Sequence, residues 1–232
     1  MIKQIFKRAF GLFGIELKRI VPSPLLHHKI DLIFDVGANS GQYALAKRSE
    51  GYDGTIVSFE PLPDVHSVLR REARNDPHWI VHPRSAVGAS VGSTTINISK
   101  NTCSSSVLPM LDAHASAAPD SVYVGTVETP MITLDSVFDL YARNSSNVLV
   151  KLDVQGLEAE VLNGCLTKMG CVKAVQLELS IVPLYQGQEL YRYFFDFFEE
   201  HNFFLWSIIP GFADQVSGQL LQFDAVFINP SI

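Results

Sequence analysis

The chain has 232 residues, 47% hydrophobic and 18% charged, with a formal net charge of −6 and a pI near 5.6. That length fills one domain around a large core and is marginal for two, and the hydrophobic fraction excludes global disorder. The acidic balance argues against nucleic acid as a partner, because phosphate binding needs clustered Lys and Arg.

Residues 1–20 differ from the rest. Lys3, Lys7, Arg8, Lys18 and Arg19 against Glu16 leave a local charge of +4, and Ile2, Ile5, Phe6, Ala9, Phe10 and Phe13 recur at helical spacing. Two readings stand for such a basic amphipathic helix: a segment lying in a membrane interface, or an accessory helix packed on the domain. Gly11 and Gly14 weaken it in isolation. Charge interrupts the segment too often for a signal peptide, and no apolar run reaches the ~20 residues that span a bilayer. VPSP (21–24) reads as a linker, so residues 1–24 form an N-terminal unit and 25–232 the domain.

Strand and helix patterns then alternate. Strands are expected at 31–36, 55–60 and within 79–87, the last interrupted by Pro83; helices are expected at 40–50, with Ser40 as N-cap, and at 63–74. Residues 88–130, rich in Ser, Thr, Gly and Asn, read as an irregular insertion on the acceptor side, with short antiparallel strands near 94–99 and 121–126. The alternation returns with a strand at 147–154, a helix at 157–164 that Gly164 ends, a strand at 172–179, and a helix at 187–201 whose Leu190, Phe194, Phe197 and Phe198 face the core. Strands at 203–209 and 220–228 close the chain. Near-continuous apolar strands fit a doubly wound, mostly parallel α/β sheet covered on both faces. Cys103, Cys165 and Cys171 form no CxxC pair, so a disulfide framework is not expected and a reducing, cytoplasmic setting is; Cys165 and Cys171 read as small buried hydrophobes.

The chemistry concentrates at strand ends. In Asp35-Val36-Gly37-Ala38-Asn39-Ser40-Gly41, between a strand and a helix, the glycines let a ligand approach the backbone, the helix N-terminus offers N–H groups to a carboxylate, and Asp35 is placed to attract an ammonium. A dinucleotide fingerprint needs a glycine where Asn39 stands, because a pyrophosphate crosses that turn. S-adenosyl-L-methionine carries no phosphate and suits the turn better than NAD. Glu60, 23 residues after Gly37, is spaced to accept hydrogen bonds from both ribose hydroxyls; its bland alternative is a surface strand-end acid.

In 151–164, Lys151 and Asp153 share a strand face near the expected methyl donor. Asp153 is the candidate base for an acceptor hydroxyl. A divalent cation held by Asp153 with Glu178 or Glu158 is a further option, although no compact oxygen-ligand loop is present. Glu158 also reads simply as a helix N-terminal charge, and Lys151 as a snorkelling strand-end residue. His114, in the insertion, reads as a solvated or structural histidine more readily than as a base, and Tyr185 as either an acceptor-pocket or a core-edge tyrosine.

Five ordered blocks make the pattern specific: FDVGANSGQYALA, SFEPLPDVHSVLRR, TLDSVF, VKLDVQGLEAEVLNG and VQLELSIVPLYQGQ. Together they resemble the FkbM family of methyltransferases over residues 31–228. The resemblance implies a class I, Rossmann-like methyltransferase fold, with a seven-stranded sheet and an antiparallel final strand. It also implies an O-methyltransferase of natural-product or saccharide hydroxyls. By motif, Asp35, Gly37, Ala38, Asn39, Gly41, Gln42 and Tyr43 would form the donor loop, Glu60 would hold the ribose, and Ser85 and Ala86 would lie near the adenine. Ser104, Ser105 and Ser106 would face the acceptor. One departure is Gln155, a neutral amide where many members carry an acid, which shifts weight onto Asp153. A glycolipid acceptor would suit the basic N-terminal segment. Two other readings remain at this stage: an NAD-dependent oxidoreductase, and a non-catalytic membrane-peripheral protein on the same fold.

Overall fold

The computed structural model describes residues 24–232; the expected amphipathic helix at 1–20 and most of the linker lie outside the described residues. A short helix, α1 (Pro24–His27), leads into β1 (Leu32–Val36), α2 (Gln42–Ser49), β2 (Thr55–Phe59), α3 (Pro63–Ala73) and β3 (Trp79–Val81). Then come β4 (Ala86–Val87), β5 (Gly92–Ser99), α4 (Asp112–Ala117), β6 (Tyr123–Ile132), α5 (Leu134–Ala142), β7 (Val148–Leu152) and α6 (Glu158–Asn163). β8 (Val172–Ser180), α7 (Tyr191–Glu200), β9 (Phe204–Pro210) and β10 (Gln222–Ile228) complete the chain.

Seven strands form one sheet in the order β3-β2-β1-β7-β8-β10-β9, parallel except that β10 runs antiparallel to both neighbours. The apolar run Leu32–Val36 is buried along its whole length because both faces are covered. Alternation splits it between two cores. Phe34 joins Phe59, Phe138, Phe194, Phe198 and Phe227 on one face; Ile33 joins Ile56, Leu69, Trp79 and Leu149 on the other. Helix α7 delivers the expected phenylalanines, with Phe198 stacked on Phe227 at 4.2 Å. Its pattern sets in later than the spacing suggests, at Tyr191 rather than 187.

Several local expectations need correction. The third strand does not run from 79 to 87. β3 ends at Val81, and β4 leaves the main sheet to pair with β6. Residues 88–130 are more regular than their composition suggests: β5 and β6 form an antiparallel ladder, and with β4 they make a three-stranded sheet of their own. This sheet packs Ile96 and Ala86 against Leu62 and Val65 at the start of α3. Helix α5 was not expected; Thr133 caps it by accepting from the Ser136 amide. Ser40 does not cap α2, which starts at Gln42 behind a left-handed Gly41. Cys165 is buried, but Cys171 is exposed, against expectation.

Candidate active site

β1 lies between β2 and β7, where the direction of chain progression across the sheet reverses. That is where an open α/β sheet leaves a crevice beyond its strand ends. The register decides what lines it. Val36 pairs with Phe59 on one side and with Leu152 on the other, and Leu152 pairs with Leu177. The next position along each chain carries Glu60, Gly37, Asp153 and Glu178, and Asp224 stands opposite Glu178 on β10. One level of five neighbouring strands thus collects four carboxylates around a glycine. A cleft of about 470 Å³ opens there, within the range of small-molecule sites.

The glycine turn is fixed by backbone bonds. Gly37 and Ala38 donate to the Phe59 carbonyl, at 3.1 and 3.0 Å. A Cβ on Gly37 would stand 1.9 Å from the Asp153 carbonyl oxygen, so only glycine lets the two strand ends approach this closely. Asn39 adopts φ 47, and its side-chain oxygen accepts from the Ser40 amide at 2.7 Å and from the Gln42 amide group at 3.3 Å. Gly37, Ala38, Asn39, Gln42 and Tyr43 line the cleft. Gly41 does not; it packs against Trp79 with φ 95.

Glu60 is 4% exposed and faces the cleft. Its carboxylate accepts from the Asn39 amide (2.9 Å) and the Leu62 amide (2.8 Å), which tie it to the glycine turn and leave lone pairs for a ligand. Burial pushes its pKa up to about 7, against the opposing pull of those two amides. The surface-acid alternative is therefore excluded. Ser85 and Ala86 line the apolar end of the cleft with Phe59 and Ile96, and the Ser85 hydroxyl donates to the Pro83 carbonyl.

Asp35 and Lys151 hold different places from those their strand-end positions suggest. Asp35 is fully buried beneath the turn, flanked in register by Ser58 and Lys151. Lys151 Nζ stands 3.2 Å from Asp35 Oδ1 and donates to the Gly37 carbonyl at 3.2 Å. Burial pulls the lysine pKa down, but Asp35 and Asp153 more than offset this and hold it above its ordinary value. Asp35 is thus committed to Lys151 and does not reach the cleft to meet a ligand's ammonium. Lys151 is a buried clamp on the donor turn, not a snorkelling residue.

Asp153 lies just past the end of β7, lines the cleft and is the more exposed partner, with Oδ2 3.8 Å from Lys151 Nζ. Glu178 is half-buried and meets it through the Gln155 amide. Burial, then Asp153, Glu158 and Asp224, hold the Glu178 pKa well above the carboxylate range. Glu158 accepts from the Val154 amide at 3.1 Å and the Gly156 amide at 3.1 Å, so it closes the β7–α6 turn rather than facing a ligand. Among the described residues no group of three or more His, Cys, Asp or Glu side chains is placed to hold a metal ion. The cation option therefore has no site of that kind among them.

Ser105 and Ser106 line the cleft, whereas Ser104 sits behind its wall, its carbonyl oxygen 3.2 Å from the Tyr185 hydroxyl oxygen. Tyr185 is buried and meets the site through the Gln155 side chain, not by lining it. His114 is buried edge-on against Tyr185, does not line the cleft, and burial lowers its pKa. Sequence reasoning missed Thr102, Gln176 and Asp224, which also line the cleft. The signal for the last two was a polar residue inside an otherwise apolar strand.

This geometry suits S-adenosyl-L-methionine: a glycine turn open to backbone contact, an acid for a ribose, and an apolar slot for a purine. Three solved structures of similar shape are a fibrillarin and two methyltransferases. Fibrillarin from Aeropyrum pernix, with natively bound S-adenosyl-L-methionine, is 10% identical over 97% of this chain and 74% of its own, at a TM-score of 0.48. Precorrin-6y C5,15-methyltransferase from Geobacter metallireducens is 11% identical over 95% and 86%, at 0.44. A TehB-like SAM-dependent methyltransferase from Corynebacterium glutamicum is 11% identical over 98% and 96%, at 0.40. These likenesses are loose, and the fold rests on this chain's own strand order. No curated protein matches the chain. The family model for the methyltransferase FkbM domain, by contrast, matches residues 35–205, most of the described sheet and both edges of the cleft. An NAD-dependent oxidoreductase and a non-catalytic relative of the fold are set aside accordingly: the chain belongs to the FkbM family and is an S-adenosyl-L-methionine-dependent methyltransferase.

Proposed function

We propose that the enzyme is an O-methyltransferase whose acceptor is a neutral hydroxyl-bearing molecule, a saccharide or a glycosylated lipid or natural product. The observation that carries this reading is the cleft itself, which Glu60, the glycine turn and Asp153 line together. When bound, the methyl donor supplies an electrophilic methyl group on a sulfonium. Glu60 would accept from its ribose and the 37–39 backbone would receive its amino-acid end, while Lys151 holds that turn in place. With the donor bound, its sulfonium would supply the methyl group to the acceptor hydroxyl, and Asp153 Oδ2 would take the hydroxyl proton. Thr102, Ser105, Gln155 and Gln176 offer the neutral hydrogen bonds that suit sugar hydroxyls. Lys151 is the one cationic side chain among the described lining residues, and it is engaged by Asp35, so an acceptor phosphate or carboxylate would face carboxylates without a counter-charge. A glycolipid is the form of acceptor that the basic segment 1–20 suits.

The test is to incubate the protein with radiolabelled methyl donor and saccharide or lipid extracts, and to identify the labelled product. An alkali-stable methyl ether is the expected outcome. Label recovered on nitrogen, on carboxylate or on nucleic acid would overturn the hydroxyl assignment.

A further inference from the structure

We propose that Gln155 is a positioning residue whose side-chain amide takes the place of a divalent cation between Asp153 and Glu178, so that methyl transfer here needs no metal. The proposal rests on the reading of Asp153 as proton acceptor. Two carboxylates turned toward one point repel unless a proton, a cation or a hydrogen-bond donor stands between them. Here the donor is Gln155 Nε2, 2.6 Å from Asp153 Oδ1 and 3.2 Å from Glu178 Oε2, one amide hydrogen for each acid.

The orientation of that amide is set from behind. The Tyr185 hydroxyl donates to Gln155 Oε1 at 2.7 Å. Turning the amide over would set its oxygen 2.6 Å from Asp153 Oδ1 with no hydrogen between them, so the nitrogen faces the acids. The backbone is held as well. Gln155 has φ 55, Gly156 follows with φ 100, and the Ser106 hydroxyl donates to the Gln155 carbonyl at 2.7 Å. Glu178 is anchored separately by Gln222 Nε2 at 2.7 Å. The bridge therefore holds Asp153 through Oδ1 against a partner that is itself hydrogen-bonded, and leaves Oδ2 outside it, 3.8 Å from Lys151 Nζ.

An amide nitrogen cannot ligate a cation, and it occupies the point where one would sit. A glutamate of the same shape would reverse this: Gln155→Glu places three carboxylates together and creates the oxygen cage that the native side chain forestalls.

The test compares the unsubstituted protein, Gln155→Glu, and Gln155→Glu combined with Asp153→Asn. Manganese affinity is read by calorimetry, and S-adenosylhomocysteine affinity is read in parallel. Gln155→Glu should bind manganese at least tenfold more tightly than the unsubstituted protein, Asp153→Asn should remove that gain, and S-adenosylhomocysteine affinity should stay within twofold throughout. Label transfer into the extract gives the second reading. The unsubstituted protein keeps its rate in a chelator, Gln155→Ala loses at least tenfold in rate at saturating donor with donor KM within twofold, and manganese restores Gln155→Glu. Equal manganese affinity in native and Gln155→Glu proteins, or chelator-sensitive native turnover that manganese restores, overturns the bridge. Failure of the native protein to bind S-adenosylhomocysteine would instead overturn the functional reading, while the manganese comparison still decides the bridge.

Discussion

Glu60 carries the sharpest consequence of burial at a single residue. With its pKa raised to about 7, the acid holds a proton below neutrality that a ribose contact must expel. Affinity for S-adenosylhomocysteine is therefore expected to rise with pH through about 7 and level off above it, weakening by roughly tenfold for each unit well below that. Glu60→Gln should weaken binding and flatten this dependence; calorimetry from pH 5.5 to 8.5 checks both, and a native affinity independent of pH would remove Glu60 from the ribose. At Asp153 the expected split is different. Asp153→Asn keeps the shape and the Gln155 neighbour but loses the proton acceptor, so turnover should fall by about 10²–10⁴-fold with donor affinity largely unchanged. Equal turnover in the two proteins would take Asp153 out of catalysis.

At the scale of elements, the site depends on how closely strand ends and turns approach. Gly37 at φ 75 abuts the Asp153 carbonyl, and Gly164 stands where a Cβ would lie 2.1 Å from the Gly88 carbonyl. The second contact joins the end of α6 to the segment that opens the small β4-β6-β5 sheet. Gly164→Ala must push backbone apart there, with an expected loss of about 1–3 kcal/mol in denaturant unfolding. A midpoint unchanged from the native protein would mean that the two elements slide apart freely. Donor affinity should drop as well, because Ala86, Val87 and Ile96 on that sheet wall the apolar end of the cleft.

For the whole molecule, ligand binding and core packing act on one folding equilibrium. S-adenosylhomocysteine at 100 times its Kd should stabilise the fold by about 2.7 kcal/mol, a rise in Tm of roughly 5–10 °C for a chain of this size. NAD at the same concentration should leave Tm in place, and the reverse pattern would refute the ligand assignment. Phe198→Ala, in the aromatic layer shared by α7 and β10, should cost about 3–5 kcal/mol without altering the cleft chemistry.

The sequence by itself determined the local pieces. Alternating apolar runs specified the strands, and Gly37 to Gly41 specified an open turn after the first of them. The spacing to Glu60 brought an acid to the next strand end. These signals are short-range: backbone conformation, period and distance along the chain. Only the tertiary structure decided which strand ends became neighbours. Parallel pairing of β1 with β2 and β7 turned Glu60 and Asp153 toward one glycine, withdrew Asp35 onto Lys151, and kept Ser104 and Tyr185 behind the wall. Antiparallel β10 set Asp224 opposite Glu178, 46 residues away, and the Val81–Ala86 break sent β4 to a second sheet. Register between distant strands is fixed by the packing of both sheet faces at once, and no single segment encodes it.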